Sequence, residues 1–274
     1  MMRLYVEAVG LCGPGLNGWA EAAAILAGQA AYVPAPVTIP ASALLPANER
    51  RRAPKTVKLA LAVGVEACAA AGRDPAETPA IFSSSGADGD TIHDILTVLA
   101  STQRELSPTK FHNSVHNAAA GYWSIATGAK AASTSLCSYD GSFAAGLLEA
   151  AAQLGAGGQA VLLIAYDVPY PSPLFAVRPV GAECGVALVL SPAPSAASFA
   201  RLDAALWPGA YVGSSAGAAL EPLRQNTPTA RALPLLAALA GDGTPEVMLD
   251  YLPDMGLKVR ITHRPAAGWP ETLA

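Results

Sequence analysis

The chain has 274 residues, of which 52% are apolar and only 14% charged, with a formal net charge of −4. No basic stripe and no interleaving of aromatic with basic residues is present, which leaves nucleic-acid binding without support. No uninterrupted apolar run reaches the ~18–20 residues of a membrane span.

A chain of this size builds one large domain or two small ones. Charged residues ordinarily make up about a quarter of a globular chain, so less surface than usual is free for water. That points to a large partner interface, with a compact Ala-rich monomer as the alternative. Cys12, Cys68, Cys137 and Cys184 lie far apart in apolar contexts and form no C-x-x-C pair. They read as buried free thiols in a reducing cytoplasm.

In chain order, Arg3 to Val9 reads as a buried strand. Glu7 interrupts any secretory apolar core there, so the start is expected to be a strand and not a signal peptide. L-C-G-P-G-L-N-G-W, residues 11 to 19, is a turn into a helix that runs to Gly28. Pro34 to Pro46 is irregular. Asn48 to Arg52 is a solvated, charged helix start. Thr56 to Ala71 is an amphipathic helix closed by Gly72. A short strand, Pro79 to Ser84, leads through S-S-S-G-A-D-G-D into a helix from Thr91 to Ser101. That turn has neither a Walker nor a dinucleotide pattern, and Asp88 and Asp90 would repel an anion. Asp90 is the expected helix N-cap.

The most informative stretch runs from Ser107 to Ala152. A polar turn ends near Asn117 and opens a helix, Ala118 to Thr127, that Gly128 stops. Ala132 to Tyr139 reads as a buried strand, Asp140 as a junction, and Gly141 to Leu154 as a second helix. A strand-to-helix junction of this kind presents one side chain to the free N–H groups of the next helix. A Cys there would be a thiolate near neutral pH. This chain has Asp140, which as an N-cap would be worth about 0.5–2 kcal/mol. Cys137 lies three residues earlier, either as an inert packed thiol or as a rival nucleophile. His112 and His116 are spaced to suit a metal only if they share a helix face. The segment reads as loop and offers no third ligand, so no metal and no cofactor is expected.

Beyond it, Ala160 to Tyr166 is an apolar strand, residues 166 to 175 a loop, and Gly185 to Leu190 a strand. Ser191 to Ser198 is a linker and Phe199 to Leu206 begins the second half. A loop from Pro208 to Pro228, a helix from Ala230 to Ala240 and apolar pieces at Val247 to Leu252 and Leu257 to Ile261 complete the chain. Strands alternating with helices imply an α/β sheet covered on both faces.

The stretch from Ser107 to Ala152 resembles the active-site region of β-ketoacyl synthases, the condensing enzymes of fatty-acid and polyketide assembly. Asn117, Ala120 and Gly121 match that family's Asn-x-x-Ala-Gly, and Gly128 matches its Gly turn. Counted on without a gap, the family's catalytic Cys falls on Asp140 and not on Cys137. G-A-E-C-G-V-A-L-V-L, residues 181 to 190, is similar to the family's E-G-A-G-x-x-V-L strand. F-H-N-S-V-H-N-A-A-A-G-Y-W-S-I-A resembles a truncated chain-length-factor-like subgroup of aryl polyene pathways.

The resemblance implies a thiolase-like layered α-β-α-β-α sandwich with its N-terminal half complete and its C-terminal half truncated. Residues 1 to 195 would form the synthase-like unit, and 196 to 274 a remnant in the same globule. It implies a dimer in which the strand Ala132 to Ser138 pairs across the two chains, with Asn113, His116, Asn117, Ser133, Ser135 and Cys137 near that interface. Thr109, Lys110, Phe111 and His112 would gate the partner's acyl tunnel or pack in the interface. Condensation in the family needs a Cys and two histidines in Gly-rich motifs. Here only His263 follows position 140, and R-I-T-H-R-P matches neither motif. The expectation is a non-catalytic subunit that heterodimerises with a full-length β-ketoacyl synthase and meets acyl carrier protein through the complex. The alternative is a stand-alone malonyl-thioester decarboxylase or acyltransferase using Cys137 or Asp140.

Overall fold

The computed structural model describes residues 1–269; the last five positions of the expected C-terminal unit lie outside them. Strand β1, Met2–Gly13, is twelve residues long and buried from Leu4 onward. A bulge between Val6 and Ala8 shifts its side-chain alternation by one residue. Before it Leu4 and Val6 face one core, and after it Val9 and Leu11 do; Ala8 and Cys12 face the other. The strand therefore runs through residues 11 to 13, where the sequence reads as a turn, and folds back only at β2, Leu16–Asn17. Gly10 is needed there for contact and not for turning. A Cβ at Gly10 would lie 2.1 Å from the Val63 carbonyl oxygen.

Helix α1 is Trp19–Leu26, α2 Ala47–Arg52 and α3 Lys55–Ala71. Glu66 of α3 accepts from the Leu11 and Trp19 N–H groups at 3.0 and 2.6 Å, which ties the end of β1 and the start of α1 to α3. Next come β3, Ala80–Ser83, and α4, Gly89–Leu99. Asp88, not Asp90, caps α4: it accepts from Thr91 N at 2.9 Å and from Thr56 Oγ1 at 3.0 Å. Residues Pro108–Asn113, expected as loop, form a short helix, α5, begun by a proline at its first position. Helix α6 is Ala118–Thr127, closed by Gly128 in the left-handed conformation. Then follow β4 (Ser133–Leu136), α7 (Ser142–Gly155), β5 (Val161–Asp167), α8 (Leu174–Val177) and β6 (Cys184–Ser191). The chain continues through β7 (Ala200–Pro208), α9 (Glu221–Asn226), α10 (Leu233–Ala240), β8 (Glu246–Leu252) and β9 (Met255–His263).

Among the described residues all nine strands belong to one mixed sheet, ordered β4-β3-β5-β6-β1-β7-β9-β8, with β2 paired to β1. The β4-β3-β5 part is parallel and the rest antiparallel. The sheet is rolled. Six strand spacings separate β3 from β8, about 29 Å if flat, while a helix is about 10–12 Å across. Yet α7 touches both β3 and β8. One core fills the inside of the roll, around α1, α7 and α10, and a second lies between α3, α6 and the outer face of β3, β5 and β6. The layers thus run helix, sheet, helix, sheet, with both sheet layers cut from a single sheet. The outer face of β1, β7, β9 and β8 carries a cross-strand row of alternating charge, Arg3–Asp203–Arg260–Glu246. Among the described residues no helix is long and apolar enough to cross a membrane.

The bulge is held by a buried ion pair. Glu7 accepts two hydrogen bonds from Arg73, both 2.8 Å, and one from Ser195 Oγ at 2.7 Å. Burial pushes the Glu7 carboxyl up, but these donors outweigh it and hold the group below its ordinary value. Its contribution is therefore complete above the unfolded-state value and disappears as pH falls through the folded one. Replacing Glu7 with Ala should cost about 3 kcal/mol, the low end for a broken buried pair, because Arg73 reaches water. Urea unfolding checks this, and the Glu7→Gln protein should lose less stability between neutral pH and about pH 4 than the wild type.

Candidate functional site

The site lies where β4 gives way to α7. After Leu136 the chain passes Cys137 and Ser138 into a single 3-10 turn, Tyr139–Gly141. Tyr139 has φ 50°, a left-handed conformation that costs a non-glycine residue about 1 kcal/mol. Three bonds hold this elbow. Ser138 N donates to Ser142 Oγ at 3.0 Å, Ser142 Oγ donates to the Tyr139 carbonyl at 2.7 Å, and Ser83 Oγ donates to the Ser142 carbonyl at 2.6 Å. Gly141 is pressed against β8, where a Cβ would meet the Tyr251 carbonyl oxygen at 2.1 Å.

Asp140 does not cap α7; the cap position is Gly141 and no side chain caps it. Two guanidinium groups hold the carboxylate instead. Arg178 Nη2 is 2.7 Å from Oδ1, and Arg231 Nη2 is 3.0 Å from Oδ2. A charge-assisted contact outcompetes a neutral backbone N–H. Arg178 also stacks over the Tyr139 ring, its central carbon 3.6 Å from the centroid. From Arg231 the chain of charge runs on to Asp250 at 3.8 Å, then to Arg224 at 2.6 Å and Glu221 at 2.7 Å. Hydrogen bonds from Arg224 pull Glu221 down to about 2, so this end stays ionised in mild acid.

Beside the elbow is the serine turn that follows β3. Asp167, at the end of β5, is buried and accepts from Ser85 N (2.9 Å), Ser85 Oγ (2.6 Å), Thr229 N (3.0 Å) and Thr229 Oγ1 (2.6 Å). Burial raises its pKa despite these donors. Cys137 Sγ lies 3.2 Å from the Ser85 carbonyl, and His116 Nε2 lies 3.3 Å from that of Ser84.

Several expected site residues fall elsewhere. Cys137 is exposed and sits past the end of the strand, whereas Cys12, Cys68 and Cys184 are buried. Burial pushes Cys12 up to about 11 and Cys68 to about 12, so both are inert thiols. Strand β4 is not buried as expected; Ser133 is exposed and the rest half-buried, because β4 is the sheet's edge. Ser133 and Ser135 lie on that edge. Asn113 is buried, donating to the Arg52 carbonyl and accepting from Tyr122 Oη, both at 3.0 Å. Asn117 is exposed and makes no side-chain cap. Thr109, Lys110, Phe111 and His112 lie on α5. Lys110 pairs with Asp94 at 2.8 Å, His112 packs its edge on Tyr122, and Phe111 is 64% exposed. His112 and His116 do not share a helix, since α5 ends at Asn113. Among the described residues no three His, Cys, Asp or Glu converge as metal ligands. His263 contacts the Ala238 carbonyl at 3.0 Å.

Arg178, Arg231, Asp167 and Thr229 were not singled out by sequence. The signals were a charged junction in a chain poor in charge, which needs a counter-ion, and one Asp ending an otherwise apolar strand.

A rolled sheet with a nucleophile-type elbow in its parallel part defines a thiolase-like fold. The chain belongs to the β-ketoacyl synthase family: the family's N-terminal-domain model matches residues 18–239. No curated protein is similar enough in sequence to match. Among solved structures, the ketosynthase ApeO in complex with its chain length factor ApeC, from Xenorhabdus doucetiae, contains a chain similar to this one. The TM-score is 0.73 at 20% identity, over 96% of this chain and 100% of that one. The ishigamide ketosynthase/chain length factor gives 0.71 at 13% identity, over 96% and 99%. A type II polyketide synthase acyl-carrier protein in complex with its ketosynthase, AntDE:AntF, gives 0.72 at 12%, over 96% and 99%.

Asp167→Asn should destabilise the chain by about 3 kcal/mol. The two hydroxyls can turn to accept from an amide, but the Ser85 and Thr229 backbone N–H groups cannot, so one of them is left facing an NH2 group. Thermal unfolding at neutral pH measures the loss.

Proposed function

We propose that this chain is a non-catalytic, chain-length-factor-like subunit that heterodimerises with a full-length β-ketoacyl synthase. In that complex it helps shape the acyl tunnel in aryl polyene or related polyketide assembly, and acyl carrier protein meets it there. The observation that carries the reading is the contrast between the two edges of the sheet. At the β8 edge, Ser214 N donates to the Met248 carbonyl at 2.8 Å, Met248 N to Ser214 Oγ at 2.9 Å, and Tyr251 N to Tyr211 Oη at 3.1 Å. That edge is covered. Among the described residues no backbone bond reaches the outer side of β4. Ala132 and Leu136 turn their carbonyls inward to Ala80 and Ser84. Backbone direction alternates along a strand, so Ser133 and Ser135 present N–H and C=O groups outward. Such an edge is a template for a strand from another chain.

The chemistry at the elbow supports the same reading. A condensing enzyme needs a nucleophile whose product can be cleaved again. Both oxygens of Asp140 are engaged by guanidinium groups. A mixed anhydride formed there would be labile, and the carboxylate charge would oppose a developing oxyanion. The exposed thiol of Cys137 has the Ser85 carbonyl as its hydrogen-bond partner, not a base. Helix α5, with Phe111 facing outward, supplies the tunnel-gating residues from Thr109 to His112.

Co-expression with a full-length β-ketoacyl synthase from the same organism tests the reading. A stable 1:1 complex by size exclusion is expected; a monomer that ignores the synthase overturns it. So does an acyl adduct on Cys137 when the chain alone meets an acyl carrier-protein thioester. Ser135→Pro should leave the monomer's melting temperature near wild type, since only an outward N–H is lost, yet abolish the complex. Phe111→Ala should keep the complex and shift the length of the polyene product, read by mass spectrometry.

A further inference from the structure

The loop between β5 and β6 carries α8, where Phe175 is 44% and Val177 80% exposed. Tyr139, at the end of the β4 edge, is 60% exposed. Nothing in their own packing explains three large apolar side chains in water beside one elbow. What brings them together is Arg178, the residue directly after α8. It stacks on Tyr139 and pairs with Asp140. Arg178 is itself mostly buried, with its side chain 16% exposed, so this contact fixes where α8 lies. At the start of the same loop Tyr170 packs against Gly86 and Gly89, where an added Cβ would meet its ring atoms or hydroxyl within about 2.2 Å. The loop is thus pinned at both ends, and the end of α8 is held at the elbow that follows the open strand.

We propose that Asp140 is a positioning residue for partner recognition. Through Arg178 it holds α8 so that Tyr139, Phe175 and Val177 form an apolar cap that continues the β4 edge and docks on the synthase subunit. This rests on the heterodimer reading above. The surface is continuous with the unpaired edge, and its chemistry fits an apolar patch on the partner and not a charged ligand. The position that holds a nucleophile elsewhere in the family here works at a distance, by charge. The other branch of the network runs from Asp140 through Arg231 to Asp250 on β8, so a change at Asp250 leaves the Asp140–Arg178 contact in place and serves as the control.

Three variants test this: Asp140→Asn, Asp250→Asn and the double change F175S/V177S. Affinity for the co-purifying synthase is measured by titration, and hydrogen exchange of residues 168–182 is followed in the isolated chain. Asp140→Asn should weaken the complex at least about tenfold and speed exchange in that segment at least about tenfold. F175S/V177S should weaken the complex without lowering the melting temperature. Asp250→Asn should lower the melting temperature while leaving affinity within about threefold. The proposal is overturned if Asp140→Asn binds the synthase like wild type, or if its 168–182 segment exchanges no faster. It is also overturned if Asp250→Asn weakens the complex as much as Asp140→Asn does. A wild-type chain that binds no synthase sinks the heterodimer reading, and the exchange measurement then decides the Asp140–Arg178 clamp by itself.

Discussion

The structure depends on closing one sheet around one layer of helices. Helix α7 is buried on β3 and β5 and again on β8, so strands at opposite ends of the sheet must meet across it. Apolar burial inside the roll drives the closure: Leu147, Leu163, Leu188, Leu202, Leu236, Val259 and Ile261 are each almost wholly buried, and a side chain of that kind contributes about 1.5–3 kcal/mol. Burial has no direction, however. What fixes where the ends meet is the contact of Gly141 with the Tyr251 carbonyl and the charge chain from Asp140 through Arg231 to Asp250. Half-buried ion pairs add little net stability, but they penalise any register that leaves a charge unpaired.

That role accounts for a carboxylate at the elbow. Two arginines and the N-terminal end of α7 make the place electropositive. A thiol there would be drawn toward thiolate, which suits catalysis. A neutral side chain would leave Arg178 without its counter-charge and Arg231 with only the more distant Asp250. Asp140 satisfies both and so converts a field of the kind that activates a nucleophile into a joint between β4, α8 and the segment before α10. Reactivity and joint compete for the same charge.

Much of the fold was legible because its elements obey simple periods. Helix α3 and its Gly72 stop, α6 and its Gly128 stop, β5 and β6 all lie within a residue or two of where the sequence put them. The failures have physical causes. In β1 the bulge at Glu7 breaks the alternation, so a strand that continues to Gly13 reads as ending at Val9. Asp88 and Asp90 are equally good caps by type; only the direction of the incoming chain selects Asp88. The run Ala132 to Tyr139 is small and apolar enough for a buried strand, but burial there depends on what lies beyond β3, which local sequence does not encode. The same blindness hid Cys137's exposure and the partners of Asp140, since Arg178 and Arg231 lie 38 and 91 positions away.

The proposed docking edge is itself short and polar. Strand β4 has four residues, three of them Ser or Thr, and short polar edges pair weakly with unrelated strands. Four residues of ladder alone give little selectivity, since every strand offers the same backbone groups. For a partner docked as proposed, selectivity would come from exposed side chains on the two proposed flanks, Phe175 and Val177 around α8 and Phe111 on α5. Neither flank is placed by β4 itself. Helix α5 is anchored through Asn113 to Arg52 and Tyr122, and α8 through Arg178 to Asp140. On the proposed reading, an unpaired strand that any chain could extend would gain its selectivity from two polar anchors, the buried Asn113 and the partly buried Asp140–Arg178 pair, which hold those flanks in place.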